Sequence, residues 1–211
     1  MPKDASVGDV WRIKSEPVVE ILKQLHEGAT GQLRPGGTGG SFACLAAESE
    51  THLLVRSRTH ARFILSDGKY TPSQFAGAAL IEKSSQKVVA LRLSVPARRN
   101  NVDLNWNRKP KEGEVRIDQK GNITTARVTM VADIGYCSQL DLVGGDQALL
   151  GTMKWEKELG FDVVDQKFRN KFYKFAEINW LPFENAVAES QKSGKPLHVV
   201  ALFGVLDDES C

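Results

Sequence analysis

The chain has 211 residues, of which 41% are hydrophobic and 26% charged, and its net charge is +2, as expected for a globular protein with one large or two small domains. Residues 176–211 hold two lysines against six acids, an asymmetry too weak to predict nucleic-acid binding. The sequence has no run of about 18 apolar residues and no N-terminal signal region, so we expect a cytoplasmic protein without a membrane segment.

Residues 1–40 are predicted to hold a short helix and a glycine-rich linker. Apolar residues at positions 18, 21, 22 and 25 recur with a helical period, and Gly28 ends the pattern. The glycine-rich residues 34–40 are not followed by Gly-Lys-Ser/Thr. We therefore interpret them as a linker or turn and not as a phosphate-binding loop.

Residues 41–145 are predicted to form an antiparallel β-rich domain, either a sandwich or barrel-like. Residues 78–81 and 88–95 flank the turn Ser84-Ser85-Gln86, which is typical of a hairpin. Residues 102–106 and the β-branched run 123–134 predict further strands, with a polar loop between Asn107 and Glu114.

One long strand is predicted over residues 53–65, because small and apolar residues alternate there with arginines and a histidine. The alternation predicts a buried face with Val55, Ser57, Thr59, Ala61 and Phe63. Arg56, Arg58, His60 and Arg62 are predicted to form a solvated face. The alternative is that the three arginines of this face bind an acidic partner.

Residues 146–180 are predicted to be a helical connector. Asp146 is a suitable N-cap for a helix continuing to residues 155–159. A second helix is predicted from Phe161 to Phe175, because Val164, Phe168, Phe172 and Phe175 share one helical face.

Residues 181–211 are predicted to form one helix followed by one strand. Pro182 marks the first helical turn, Gly194 ends the helix, and the apolar run 197–206 predicts a strand buried on both faces. Because 31 residues cannot bury enough surface to fold alone, this segment must dock on the first domain or begin something longer. The predicted class is thus α+β, divided into residues 1–40, 41–145, 146–180 and 181–211.

The cysteines and histidines form no metal-ligand or disulfide pattern. Cys44, Cys137 and Cys211 include no Cys-x-x-Cys pair, and we expect Cys44 and Cys137 to be buried core thiols. The four histidines, His26, His52, His60 and His198, are scattered, and His198 is predicted to be a core histidine of the last strand. An apolar strand followed by an acidic loop and Cys211 is the order in which a thioredoxin-like fold presents a redox cysteine.

Several segments in this order resemble the selenoprotein N family. They cover residues 70–77, 91–96, 101–106, 132–140, 154–159 and 180–186, and the last runs through Gly204 to Asp207-Asp208-Glu209-Ser210-Cys211. In that family the final motif continues Ser-Cys-selenocysteine-Gly and a thioredoxin-like domain follows. The resemblance spans residues 52–211.

The resemblance implies a thiol/selenol redox protein in which Cys211 is catalytic and pairs with a selenocysteine at the next position. Residue 212 is absent, so we expect a chain that stops just before its selenocysteine and is inactive by itself. A protein thiol or disulfide would be the partner, no further cofactor or metal is implied, and animal members are linked to calcium handling in the endoplasmic reticulum. The chain differs from an EF-hand protein in lacking an Asp-x-Asp-x-Asp-Gly loop.

A second hypothesis for the function is a non-enzymatic β-rich module that binds a protein through its sheet face. Asp103 and Asp133 lie in family-like motifs at predicted strand ends, where turn roles compete with recognition roles. Scattered acids such as Asp141 and Asp146 leave calcium binding open. A selenium-containing product favours the redox reading, and a gene that stops at codon 211 favours the interaction module.

Overall fold

Antiparallel strands make up most of the regular secondary structure in this computed structural model, which describes residues 1–25, 27–30, 40–64, 68–72, 74–95, 102–108, 116–117, 121–124, 128–133, 140–173 and 177–200. The strands are β1 Val10–Ile13, β2 Ala29–Thr30, β3 Gly40–Glu48, β4 His52–His60, β5 Arg62–Ile64, β6 Gly68–Pro72, β7 Phe75–Glu82, β8 Lys87–Ser94, β9 Val102–Arg108, β10 Arg116–Ile117, β11 Ile123–Thr124, β12 Val128–Asp133, β13 Asp141–Gly145 and β14 Lys157–Glu158. The helices are α1 Ser15–Leu22, α2 Gln147–Thr152, α3 Phe161–Phe172 and α4 Phe183–Ser193.

Two sheets contain most of these strands. In the first sheet β1, β3, β4, β7, β8 and β13 lie side by side in that order, and β14 pairs with β3 as its seventh strand. The second sheet has the order β12, β9, β6, β5 and β2, while β10 and β11 pair with each other. All pairings in the two sheets are antiparallel, so strands that follow one another can be joined by short turns. The predicted α+β class is confirmed.

One hydrophobic core joins the two sheets. The chain crosses from the first sheet to the second at Ala61, between β4 and β5. The core residues come from both sheets and from α1: Leu22, Ala29, Ala61, Phe63, Phe75, Leu93 and Val95. Val18, Ile21 and Leu25 pack against them, so the amphipathic pattern predicted for the N-terminal helix is confirmed. Residues 34–39 of the predicted glycine-rich linker lie outside the described residues, and its last residue, Gly40, begins β3.

Helix α3 covers the opposite face of the seven-stranded sheet. Its buried residues are Val164, Phe168 and Phe172, which confirms the predicted helical face, while Phe175 lies outside the described residues. Val164 and Phe168 pack against a core that includes Cys44 of β3 and Leu54 of β4. The first sheet is therefore covered on both faces.

The predicted single strand over residues 53–65, with one solvated face, is wrong. The strand is broken at Ala61, and Arg58 and His60 are buried while Arg56 and Arg62 are half-buried. The alternation correctly shows that the two faces differ in polarity. It does not show that the polar face meets water, because α3 supplies polar and aromatic partners for that face.

The hairpin formed by β7 and β8 is confirmed, with Gln86 in the left-handed region at φ 57°. Strand β9 continues through Arg108, into the predicted polar loop, because it pairs with β12 along its length. Asp146 caps α2 as predicted, since its Oδ1 accepts from the amide of Leu149 at 2.9 Å. The helix ends at Thr152, short of the predicted extension, because β14 adds residues 157–158 to β3.

Residues 177–200 bury little surface among the residues that the structure describes. Helix α4 follows Pro182 and is closed by Gly194 in the left-handed region at φ 69°, as predicted, but none of its residues is buried. Residues 197–200 form no strand, and Leu197, Val199 and Val200 are exposed. The predicted strand is therefore wrong for these residues, because no strand in the described part of the chain pairs with them. Residues 201–206 lie outside the described part.

Among the described residues, no helix combines the length and the apolar character needed to cross a membrane.

Candidate functional site

The predicted catalytic residue, Cys211, lies outside the residues that the structure describes, as do Cys137 and His26. The described part of the chain contains a different polar site, which is a buried cluster around Arg58. We define the Arg58 cluster as Arg58, His60, Asp165, Phe172 and Tyr173. Its residues come from β4, from both halves of α3 and from the C-cap of α3.

Arg58 lies in the middle of the first sheet, on the face that α3 covers. Its cross-strand neighbours are Phe42 on β3 and Ala76 on β7. The small side chain of Ala76 leaves space beside the guanidinium, and Phe42 contacts the ring of Phe172 edge-on at 5.2 Å. The Arg58 side chain and the end of α3 therefore contact each other on one face of the first sheet.

The Arg58 guanidinium is paired on its edge and on its face, although only 3% of the residue is exposed. Nε donates to Nε2 of His60 at 3.1 Å, and Nη2 donates to the Tyr173 hydroxyl at 3.2 Å. Nη1 lies 3.8 Å from Oδ1 of Asp165. The guanidinium carbon also lies 5.4 Å from the ring centre of Phe172 and 5.2 Å from that of Tyr173, within cation–π range.

His60 connects the arginine to the same helix end. Its ring stacks on Phe172 with centroids 3.8 Å apart and planes inclined by 16°. Because Nε2 accepts a hydrogen bond from an arginine, that nitrogen carries no proton and the imidazole is held with its proton on Nδ1. The cluster satisfies a buried cation by hydrogen bonds and ring faces, an arrangement suited to positioning and not to reacting.

Sequence reasoning missed this cluster. The arginine and the aromatic residues lie 115 positions apart along the chain, as the Arg58–Tyr173 hydrogen bond shows. The only local signal is that Phe172, the last residue on the apolar face of α3, is followed directly by a second aromatic residue, Tyr173. Nothing in the sequence of β4 indicates which of its two faces this helix covers.

Cys44 is a buried core thiol, as predicted. Its Sγ donates to the carbonyl of Leu45 at 3.7 Å, and it packs with Ala46 and Val164. Burial raises the pKa of the Cys44 thiol above its ordinary value of 9.0, Lys167 opposes the shift, and Asp9 adds to it. The thiol is therefore protonated at neutral pH and is a poor nucleophile.

We expect Cys44 to resist thiol reagents in the folded protein and to react once the chain is unfolded. The measurement is labelling of a Cys137→Ser, Cys211→Ser variant with a chromogenic disulfide at pH 8, with the same sample in guanidinium chloride as the control. Equal rates in the two samples would contradict the burial of this thiol.

The raised pKa of Cys44 also predicts that the free energy of unfolding falls as the pH rises above 9.0, because the thiol ionises first in the unfolded chain.

The acids singled out from the sequence have defined positions. Asp103 on β9 pairs directly with Asp133 on β12, and Thr71 of β6 lies on the other side of Asp103. Asp141 receives two hydrogen bonds from Arg92, at 3.3 and 2.8 Å, and Asp146 caps α2. Asp141 and Asp146 thus have structural partners. Among the described residues, no three His, Cys, Asp or Glu side chains are grouped so that they could hold a metal ion.

The two remaining described histidines are outside the core. His52 Nδ1 lies 2.8 Å from the hydroxyl of Thr51 near the start of β4. His198 is exposed, so its predicted role as a core histidine is wrong, for the same reason that residues 197–200 form no buried strand.

Three proteins called selenoprotein N are similar to the chain. The protein from Mus musculus is 29% identical over 203 aligned residues, the one from Homo sapiens 28% and the one from Danio rerio 27%. Each alignment covers 82% of this chain. The chain is thus similar to proteins of the selenoprotein N family over most of its length. The resemblance found in separate sequence segments is thereby confirmed over most of the chain.

The chain spans about a third of the length of the selenoprotein N relatives that it matches, 32% to 34% in the three comparisons. No protein-family profile matches it. No solved structure is detectably similar to it.

Proposed function

We propose that this chain is part of a thiol/selenol redox protein of the selenoprotein N type, in which Cys211 pairs with a selenocysteine at position 212. The observation that carries the proposal is the family relationship over 82% of the chain, together with a C-terminal Glu209-Ser210-Cys211 that resembles the family's selenocysteine motif. A redox role for the whole protein depends on its similarity to that family and on the selenocysteine expected at position 212.

The exposed segment 177–200 supports a thioredoxin-like domain that begins here. Helix α4 buries none of its residues, and Phe183, Leu197, Val199 and Val200 are all exposed. Exposed apolar residues on a helix and on the segment that follows it are expected where that segment becomes a strand only when both pack against further structure. In a thioredoxin-like domain that structure would include the helix that carries the redox pair.

The proposed chemistry is a two-electron reduction of a disulfide. The selenolate of residue 212 attacks one sulfur, a selenium–sulfur bond forms, and the substrate's sulfur–sulfur bond breaks to release the first thiolate, which takes up a proton. The Cys211 thiolate then attacks selenium and releases the second substrate thiol. The enzyme is left with a sulfur–selenium bond between residues 211 and 212, which an external dithiol reduces.

The residues before Cys211 influence this thiol. Asp207, Asp208 and Glu209 precede it within four positions of the sequence, and negative charge close to a thiol disfavours its thiolate. In the complete protein a following helix N-terminus would act in the opposite direction. This arrangement fits a selenolate as the attacking group and Cys211 as the group that resolves the intermediate.

A second function, a protein-interaction module, is favoured by the surface beside α3. The guanidinium of Arg56 lies 5.7 Å from the ring centre of Phe161, which is 57% exposed, and Val163 is exposed on the same helix. A cation and apolar side chains together are typical of interface anchors. Retention of partner binding by a protein that lacks selenium would favour this function.

The proposed redox function is tested by disulfide reduction with the selenium-containing full-length protein and its Cys211→Ser variant. We expect turnover by the first and an accumulated selenium–sulfur adduct with the second, because serine cannot resolve the intermediate. Full turnover by the Cys211→Ser variant would overturn the role assigned to Cys211.

A further inference from the structure

The Arg58 cluster lies where three parts of the chain meet. His60 is the last residue of β4, directly before the chain crosses to the second sheet. Phe172 is the last residue of α3, and Tyr173 is its C-cap, directly before the chain runs on to residues 177–200. The first sheet, the crossing into the second sheet and the exit of α3 are therefore held at one point.

The partners of Arg58 are distributed unevenly. His60 comes from the same strand, whereas Asp165, Phe172 and Tyr173 all come from α3 and its cap. If the end of α3 moved away, Arg58 would lose the Tyr173 hydroxyl and both ring faces together, and of its partners on α3 only the Asp165 carboxylate, in the first half of the helix, would remain. An arginine buried without partners is costly, so intermediate positions of the helix end are disfavoured.

The cluster also opposes sliding of the helix along the sheet. The guanidinium is planar and directs its N–H groups in fixed directions, so it fits His60 Nε2 and the Tyr173 hydroxyl in one register only. The stack of His60 on Phe172 fixes the same register by shape. Apolar packing of Val164 and Phe168 lacks this directional constraint.

We infer that the Arg58 cluster is a clamp that fixes where the chain leaves α3, and thereby positions the segment that leads to Cys211. This inference rests on the proposed function for its consequence, because the positioned segment carries the redox residue. The clamp itself is a property of β4 and α3. Arg58 is accordingly a positioning residue and not a catalytic one.

The clamp predicts a local effect when Arg58 is replaced. In Arg58→Met the stem volume is kept and the charge, donors and planar face are lost. We expect hydrogen exchange of the amides at 169–173 to become at least about tenfold faster, the effect of losing one or two charge-assisted hydrogen bonds. Exchange in β3, β4 and β7 is expected to change by less than about twofold, because the sheet pairing is unaltered. The measurement is hydrogen exchange with mass spectrometry on the 211-residue chain.

Two conservative variants keep the test decisive if Arg58→Met folds poorly. Arg58→Lys keeps the charge, but one ammonium group cannot contact His60, Tyr173 and both rings together, so exchange at 169–173 still increases. Tyr173→Phe keeps the ring and removes only the hydroxyl acceptor, so the increase is smaller. Arg92→Met is the matched control, because Arg92 lies on β8 of the same sheet and its pairing with Asp141 is solvent-exposed.

The clamp is overturned if exchange at 169–173 is unchanged in all Arg58 variants, or if the sheet and the helix lose protection by the same factor. The second result would mean that Arg58 supports the domain as a whole. Neither result depends on selenium or on disulfide turnover. Failure of the clamp is thus distinguishable from failure of the proposed redox function.

Discussion

Replacing Phe172 with alanine is expected to lower the free energy of unfolding by about 3–5 kcal/mol, the usual cost of removing a buried phenylalanine. The ring is 4% exposed and touches Phe42 edge-on, stacks on His60 and lies against the Arg58 guanidinium. Truncation therefore leaves a cavity and also uncovers a buried cation. The measurement is urea unfolding followed by tryptophan fluorescence.

The control for this variant lies on the same helix. Phe161 is the first residue of α3 and is 57% exposed, with Arg56 as its cation–π partner. Phe161→Ala is expected to cost no more than about 1 kcal/mol, the upper range for an exposed cation–π contact. Equal losses for the two variants would contradict the placement of the helix on the sheet.

The second large effect concerns redox activity. The 211 residues by themselves are expected to reduce a disulfide substrate no faster than the reagent blank, whereas the selenium-containing full-length protein turns over. A polypeptide limited to these 211 residues offers Cys211 no selenocysteine partner, and Cys44 is buried with a raised pKa. A single thiol can form a mixed disulfide with a substrate but cannot resolve it with a neighbour.

Cys44→Ser in the full-length protein is the matched control for this activity. It removes a thiol that lies in the core of the β-rich part, so turnover is expected to be unchanged. Substantial turnover by the 211 residues alone would contradict the assignment of the chemistry to residues 211 and 212. It would also favour a reactive centre elsewhere in the chain.

Local patterns predicted the elements whose signals are contained within one segment. The face of α3 could be predicted because Val164, Phe168 and Phe172 recur at helical spacing, and the cap at Asp146 because its oxygen bonds an amide three residues on. The β7–β8 hairpin follows equally from a polar turn between apolar runs. These features depend on contacts that are close in sequence.

The burial of Arg58 and His60 could not be predicted in this way. Alternation along β4 separates two faces, but which face is covered depends on α3, which lies about a hundred residues further along the chain. The break at Ala61 has the same origin, since β5 pairs with β2 and β6 and not with the neighbours of β4. Long-range pairing decides these positions, and single-segment periodicity does not record it.

The resemblance to the selenoprotein N family could be recognised from the sequence, because its motifs occur in a fixed order across the chain although each one is weak alone. The similarity to three selenoprotein N proteins confirms it. The strand expected at residues 197–206 shows that an apolar run by itself does not determine whether its residues are buried. Its apolar residues require neighbouring structure before they can be buried, and at Leu197, Val199 and Val200 they are exposed.

The central claim is that Cys211 is one half of a cysteine–selenocysteine pair. It is tested most directly by mass spectrometry of the protein purified from its own organism, on the peptide that contains Glu209-Ser210-Cys211. We expect a selenium isotope pattern at the residue after Cys211, with a sulfur–selenium bond in the oxidised sample. A peptide that ends at Cys211, or that continues with an ordinary amino acid, would contradict it.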